Sequence, residues 1–400
     1  MNEDTGSTIY QGLSGRDFSP ELKLLLASVG VNFDKQLPRW SEILRREEID
    51  WDGLQSEAQS LGIQPLLWRF LDRLDAELVP ADALANLRQV LLENAIHNLK
   101  MTGELANILD AFSARGIRAI PYKGPALAAL AYGDLALREF GDLDILVNRE
   151  DLPRAGQLLA ERGYHAEFAL ANLRDRSFLK ISNALSFRSA QKKVLVELHW
   201  TLSPKLFPLK LDEERLFGNT LTVHPAGRAM ETLAVEPLLI YLCSHGSRHC
   251  WSSLGWIADI AWLIHREKEL DWDEVLRLAE ATNSRRMLWL GLSLAHSLLE
   301  TDLPELILRR INDDAVTSRL AEQVCDWLFS PDETGKGVFK RDLFYFGLQE
   351  KPLEKAAYLW RLFITPNIAD WQFLPLPPSL NFLYSALRPI RFLRDQFQSR

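Results

Sequence analysis

Apolar and polar positions repeat with a helical period over the first hundred residues. Ser19-Pro20-Glu21 sets a capping hydroxyl before a proline at the first helical position, where its missing N–H does no harm. Leu22, Leu25, Leu26 and Val29 follow at helical spacing, and Gly30 is a stop. The same period predicts helices over 39–47, 52–61 and 64–75, then a long one over 81–114 that Gly116 ends. The pattern changes at Ile117. Residues 117–122 read as a short strand entering Lys123-Gly124-Pro125, with a helix over 125–132. Residues 142–147 and 194–200 read as strands, 184–187 as a further one, and 150–162 as a helix that Gly163 stops. After Glu231 the helical period returns to about residue 330. Helical pieces broken by Pro366, Pro375, Pro377 and Pro378 complete the chain.

Strands and helices thus interleave only between about 115 and 225, which predicts an α+β fold: a small mixed sheet with helices, flanked by N- and C-terminal helical regions. The expected division is a helical region over 1–114, an α/β core over 115–228, a helical region over 229–330 and a helical segment over 331–400. One internal echo stands out. Asp50-Trp51-Asp52 and Asp271-Trp272-Asp273 each open a helix, and Leu67-Trp68 and Leu288-Trp289 follow at the same offset. Leu54 and Ala58 correspond to Val275 and Ala279. A helix pair used twice accounts for this, and so does the general likeness of amphipathic helices; two copies are too few for a solenoid. Residues 387–394 form a basic amphipathic segment, read either as a helix docked on the body or as a contact to an anionic partner.

Composition narrows the class. The chain has 400 residues, 47% hydrophobic and 25% charged, so it is globular and holds more than one ordinary domain. Lys plus Arg number 46 against 54 Asp plus Glu, a net charge of −8. This excess of acid argues against a general polyanion binder, although a local basic cleft leaves nucleic acid open as a disfavoured partner. Cys243, Cys250 and Cys325 are too few for a disulfide framework. The acidic start, Met1-Asn2-Glu3-Asp4, has no apolar signal region, and no stretch approaches the roughly 18 apolar residues of a membrane span. A cytoplasmic protein without a membrane span is the expectation.

The chemistry concentrates on the strands. In a strand, residues two apart share a face, so Asp142 and Asp144 project together. Paired carboxylates repel unless a cation neutralises them, and Mg²⁺ favours one or two carboxylates with water and phosphate completing its shell. Glu197 adds a third acid if its strand neighbours the first, the usual requirement for two-metal phosphoryl transfer. Upstream, the Lys123-Gly124 turn offers a backbone that phosphate can approach, a helix start and a full positive charge. Arg138 is a second candidate phosphate clamp, and a surface cation is the plainer reading of both.

These residues carry a resemblance. Lys123-Gly124, Tyr132-Gly133-Asp134, Arg138, residues 141–147, Gly163-Tyr164 and residues 197–200 resemble the nucleotidyltransferase family of the polymerase-β-like superfamily, in particular its bacterial "nucleotidyltransferase family protein" branch. His245, His249, Trp251, Leu254, Trp256 and Asp259 resemble that branch's second helical region. Leu376-Pro377 and residues 384–393 resemble its C-terminal segment. The resemblance implies a polymerase-β-like core, with Asp142, Asp144 and Glu197 as catalytic ligands of two Mg²⁺ ions (or Mn²⁺) and Lys123-Gly124 at the superfamily's glycine turn. It implies transfer of an NMP group from a nucleoside triphosphate, with release of pyrophosphate, to an acceptor that is a small molecule, a peptide or a protein. Two departures bear on the nucleotide: Lys-Gly replaces the usual Gly-Ser, and the third acid is Glu where Asp is commoner.

The remaining candidates are polar groups near such a cleft. His245 and His249 stand one helical turn apart, with Cys250 adjacent and Asp259 ten residues beyond His249. Zinc accepts such ligands, but Gly246 stands where H-E-x-x-H has its glutamate. A polar wall opposite the carboxylates, or core hydrogen bonding, are the other readings. His199 shares a face with Glu197 and either holds a carboxylate or contacts substrate; a structural histidine is the alternative. Serine- and cysteine-nucleophile motifs, the phosphate loop and the dinucleotide fingerprint are absent. Two function classes follow: a metal-dependent nucleotidyltransferase, or a catalytically silent accessory protein that keeps the fold to bind a nucleotide or partner.

Overall fold

The computed structural model describes residues 18–391 apart from 171–172, 174–177, 208, 210, 330–337, 367–369, 371–372, 375–379, 381–382 and 390. Helix α1 (Pro20–Val29) begins where its cap requires, with the Leu22 N–H donating to Ser19 Oγ at 3.2 Å. Helix α2 (Phe33–Ile43) departs from expectation. It starts well before residue 39 and runs through Pro38, because Phe33 and Trp40, two turns apart, are its buried residues. Helices α3 (Trp51–Leu61), α4 (Gln64–Leu71) and the 33-residue α5 (Ala81–Ser113) complete the first helical region.

Strand β1 (Ala119–Pro121) leads into α6 (Gly124–Leu127), which widens into a π turn over Ala128–Tyr132. Then come β2 (Asp142–Val147), α7 (Leu152–Glu161), the short β3 (His165–Ala166), α8 (Phe178–Ile181), β4 (Ala184–Ser189) and β5 (Val194–His199). These strands form one mixed sheet in the order β1-β2-β5-β4-β3. Its β2–β5 pair is parallel and the other neighbours are antiparallel. A second feature was not legible in the patterning. After α9 (Glu213–Gly218), β6 (Thr220–Val223) and β7 (Met230–Leu233) make a separate two-stranded sheet. Four residues per strand are too few for a clear period, and the hairpin is held to β1 by Thr232 Oγ1 donating to Pro121 O at 2.7 Å.

The later helices are α10 (Val235–Arg248), α11 (Leu254–Arg266), α12 (Trp272–Ala281), α13 (Arg285–Leu299), α14 (Glu305–Asn312), α15 (Ala315–Phe329), α16 (Val338–Leu348) and α17 (Pro352–Ile364). The echo between the halves extends to cap geometry. Asp50 at φ −75, ψ 92 accepts from Gly53 N, and Asp271 at φ −76, ψ 92 accepts from Glu274 N. Leu54, Ala58, Val275 and Ala279 are all fully buried. At the end of the chain Arg388 and Arg391 both reach buried Asp370, which ties this part of the basic segment to the body. Leu376-Pro377 and residues 392–394 lie outside the described residues.

The absence of a side chain at Gly246 has a packing cause. Trp251 is completely buried, and a Cβ on Gly246 would stand 2.4 Å from its ring. Gly291 meets the same indole from α13, at 3.0 Å. Overpacking a filled core costs about 1–3 kcal/mol. Gly246→Ala is therefore expected to lower the unfolding free energy by about that much, measured by urea titration; an unchanged midpoint would contradict the contact.

Candidate functional site

The parallel pairing of β2 with β5 decides which acids meet. Its register sets Asp144 opposite Glu197, Asp142 opposite Leu195, and Leu146 opposite His199. Along β5, Val194, Val196 and Leu198 are buried on one face, which leaves Leu195, Glu197 and His199 on the other with the acids of β2. The donor atoms of Asp144, Glu197 and His199 lie within 4.8 Å of one another, a group close enough to gather a metal ion, with His199 either as a ligand or as the partner that orients the two acids. Asp142 stands one strand position out from this group and lines the adjoining cleft.

Lys123 comes in from the turn between β1 and α6, its Nζ 3.1 Å from Asp144 Oδ2. Gly124 makes that approach possible. Its φ is +50, and a Cβ there would meet Asp142 O at 3.2 Å, so a glycine lets the turn lie against β2. On the other side His199 Nε2 is 3.1 Å from Asp144 Oδ1 and 3.2 Å from Glu197 Oε2. Asn183 Nδ2 faces the opposite ring nitrogen, Nδ1, at 3.3 Å.

These contacts set the charges. Burial alone would raise the Asp144 carboxyl, but Lys123 and His199 together hold it well below the usual carboxylate range. Burial would lower Lys123 and His199, yet Asp144 keeps the ammonium firmly charged, and the two carboxylates raise the imidazole. The His199 hydrogen bond lowers Glu197 against its own burial. Asp142 goes the other way: burial raises it, and the charge of Asp144 raises it further. Three desolvated acids around one lysine thus carry an excess of negative charge, and the donor set is right for a divalent cation.

A cleft of about 280 Å³ opens beside Asp142, lined by Lys123, Arg138, Phe140, His245, His249 and Asp259 among others. Arg138 is already engaged there. Its Nε and Nη2 donate to the two oxygens of Asp259 at 2.8 and 2.9 Å, and the Tyr132 hydroxyl donates to the same carboxylate at 2.9 Å. Arg138 and Asp259 are a bidentate pair across the cleft floor, which leaves Nη1 and the second N–H of Nη2 for a phosphate. The segment carrying Arg138 is gripped by α5: Asn94 and Asn98 both donate to Arg138 O, at 3.2 and 2.8 Å, and the His97 ring bonds to Phe140 O at 3.2 Å. These anchors and Asn183 carried no sequence signal, since an Asn or His within a polar stretch looks like any solvated residue; Tyr132 belonged to the resembling Tyr132-Gly133-Asp134 stretch, but its bond to Asp259 was not legible there.

His245 and His249 form the opposite wall, with ring centroids 4.6 Å apart. Burial, then Lys123 and Arg248, push His245 well below its ordinary value. Packing around its ring, then Arg248 and Lys123, push His249 down to about 4, although part of that residue remains open to solvent. Both rings are neutral at pH 7. An unfolded chain, with histidines near 6.5, binds more protons than the native one below that pH, so stability falls as the pH drops from about 6.5 toward 4. Replacing both with glutamine is expected to flatten this part of the stability–pH curve. An equal acid slope in the variant would refute the assignment.

None of the described helices is long and apolar enough to cross a membrane. The model of a family described as "Uncharacterised nucleotidyltransferase" matches residues 47–300, which takes in β1 through α13 and every residue of the site. No curated protein matches the chain.

Proposed function

Because the chain belongs to that nucleotidyltransferase family, we propose that it transfers an NMP group from a nucleoside triphosphate to an acceptor, with release of pyrophosphate. The observation that carries this reading is the parallel register that sets Asp144 beside Glu197, with Lys123 on the outer oxygen of Asp144. Asp142, Asp144 and Glu197 are the residues that would hold divalent metal, two Mg²⁺ ions or Mn²⁺. Bound there, the metal supplies Lewis-acid neutralisation of the phosphates and of the attacking and leaving oxygens.

The chain's own groups do the rest. Gly124 keeps the turn free of side-chain bulk where the triphosphate passes, and Lys123 can shift its charge from Asp144 to a phosphate oxygen. Arg138, fixed by Asp259, adds Nη1 at the cleft floor. The acceptor hydroxyl attacks the α-phosphorus and gives up its proton to water, the bond from the α-phosphorus to the α–β bridging oxygen breaks, and pyrophosphate leaves. His245 and His249 form a neutral wall on the acceptor side of the cleft, so an uncharged hydroxyl enters without repulsion. The small molecule, peptide or protein that carries it is found by incubating the purified protein with Mg²⁺, α-labelled NTPs and a cell extract. Label is expected in a single acceptor class and only with metal. Nucleotide bound without turnover across a broad acceptor panel favours the silent accessory reading instead.

A further inference from the structure

We infer that His199 is a positioning residue for the metal-binding carboxylates and not itself a metal ligand: one N–H, fixed by Asn183, bridges Asp144 and Glu197. The inference rests on the metal-dependent reading above and refines how that site is built.

Asn183 Nδ2 lies 3.3 Å from His199 Nδ1 and 3.4 Å from the carbonyl oxygen of Thr201. A carbonyl oxygen only accepts, so the side of the Asn183 amide facing it is the NH₂. Turned round, Oδ1 would confront the Thr201 oxygen with no hydrogen between them. The amide therefore donates to His199 Nδ1, which carries a lone pair, and the proton of the neutral ring sits on Nε2. That nitrogen is 3.1 Å from Asp144 Oδ1 and 3.2 Å from Glu197 Oε2. For Nε2 to bind a cation instead, the ring proton would have to sit on Nδ1, where it would confront the Asn183 NH₂.

The backbone holds this arrangement in place. Asn183 directly precedes β4, whose Ala184 pairs with His199 in register. The Trp200 N–H donates to Asn183 O at 3.1 Å, so the two residues flank one fixed strand end. The Tyr122 ring meets the imidazole edge-on, with centroids 5.6 Å apart. A single donor thus binds one oxygen of an acid on β2 and one of an acid on β5. Glu197 Oε1 is left as an oxygen offered to a cation, and Asp144 Oδ2, which faces Lys123 Nζ at 3.1 Å, becomes the other when Lys123 turns to a phosphate. An all-oxygen donor set of this kind suits Mg²⁺ or Mn²⁺ and gives no advantage to metals that favour nitrogen. An outer partner that orients ligands in this way is worth about 10–100-fold in metal affinity.

The test uses the full chain with Mn²⁺ as the probe, combining binding titration with pulsed EPR, which detects a coordinated imidazole nitrogen. Wild type is expected to bind Mn²⁺ with no nitrogen coupling that depends on His199. His199→Gln, whose amide can donate in place of the ring, is expected to stay within roughly threefold of wild type, while His199→Ala loses about tenfold or more. A nitrogen coupling present in wild type and lost in His199→Gln would make His199 a ligand and overturn the inference while leaving the metal site standing. Equal affinity in all three proteins would make His199 a packing residue and overturn it as well. No Mn²⁺ binding by wild type at millimolar metal would instead sink the metal-dependent reading, and the inference with it. If His199→Ala fails to fold, the wild-type and His199→Gln spectra still decide.

Discussion

Asp142→Asn/Asp144→Asn is expected to reduce metal-dependent NMP transfer by at least about 10³-fold and to abolish binding of Mg²⁺–NTP. Removing a single preorganised donor that stabilises developing charge typically costs about 10²–10³-fold in rate, and here two of the three acids are removed together. Loss of activity alone would not separate chemistry from folding, because Asp144 is only 2% exposed and is held by Lys123 and His199. Removing its charge leaves a desolvated lysine without its partner, a change that can cost several kcal/mol. Glu197→Gln supplies the control. Its side chain is 31% exposed and still accepts a hydrogen bond from His199, so that variant should fold with a melting curve near wild type and still lose metal and transfer. A double mutant that binds Mg²⁺–NTP as well as wild type would overturn the site assignment.

Asp259→Ala is expected to be the most destabilising single change in the cleft, by about 3–5 kcal/mol in urea unfolding. The Arg138 guanidinium is about 10% exposed and gives two hydrogen bonds to Asp259, whose carboxylate also accepts from Tyr132. Truncating the acid strands a buried cation and a buried hydroxyl at once. Arg138→Met/Asp259→Leu removes both charges and should recover a large part of the loss, since apolar groups of similar volume replace buried ion pairs at little cost. A double mutant as unstable as Asp259→Ala would mean that cavity formation, not an orphaned charge, is the cause. The same pair explains why Arg138 is a poorer phosphate clamp than its position four residues before Asp142 suggests. Its partner lies 121 residues away, on α11, where nothing in the local pattern points to it.

Two kinds of legibility separate here. Features that depend on neighbours along the chain were readable. Ser19 caps α1, Gly163 ends the helix before β3 at φ +83, and the aspartates of the repeated Asp-Trp-Asp cap α3 and α12 in the same geometry. Asp142 and Asp144 share a strand face because period two leaves no other arrangement. The helix read as starting at residue 39 was misplaced for a nonlocal reason: burial of Phe33 outweighs the helix-breaking tendency of Pro38.

By itself, then, the sequence determined the α+β class, the order of most elements, the Asp142-x-Asp144 pair and the Lys123-Gly124 turn, all of which follow from spacing and local backbone chemistry. Only the tertiary structure decided that β5 lies parallel beside β2 with Glu197 against Asp144. It also decided that His199 bridges these acids and that Arg138 closes on Asp259. The physical reason is common to all three. Each depends on which strand or helix packs beside which, and that is settled by burying apolar surface contributed by the whole chain, to which the acids themselves contribute nothing.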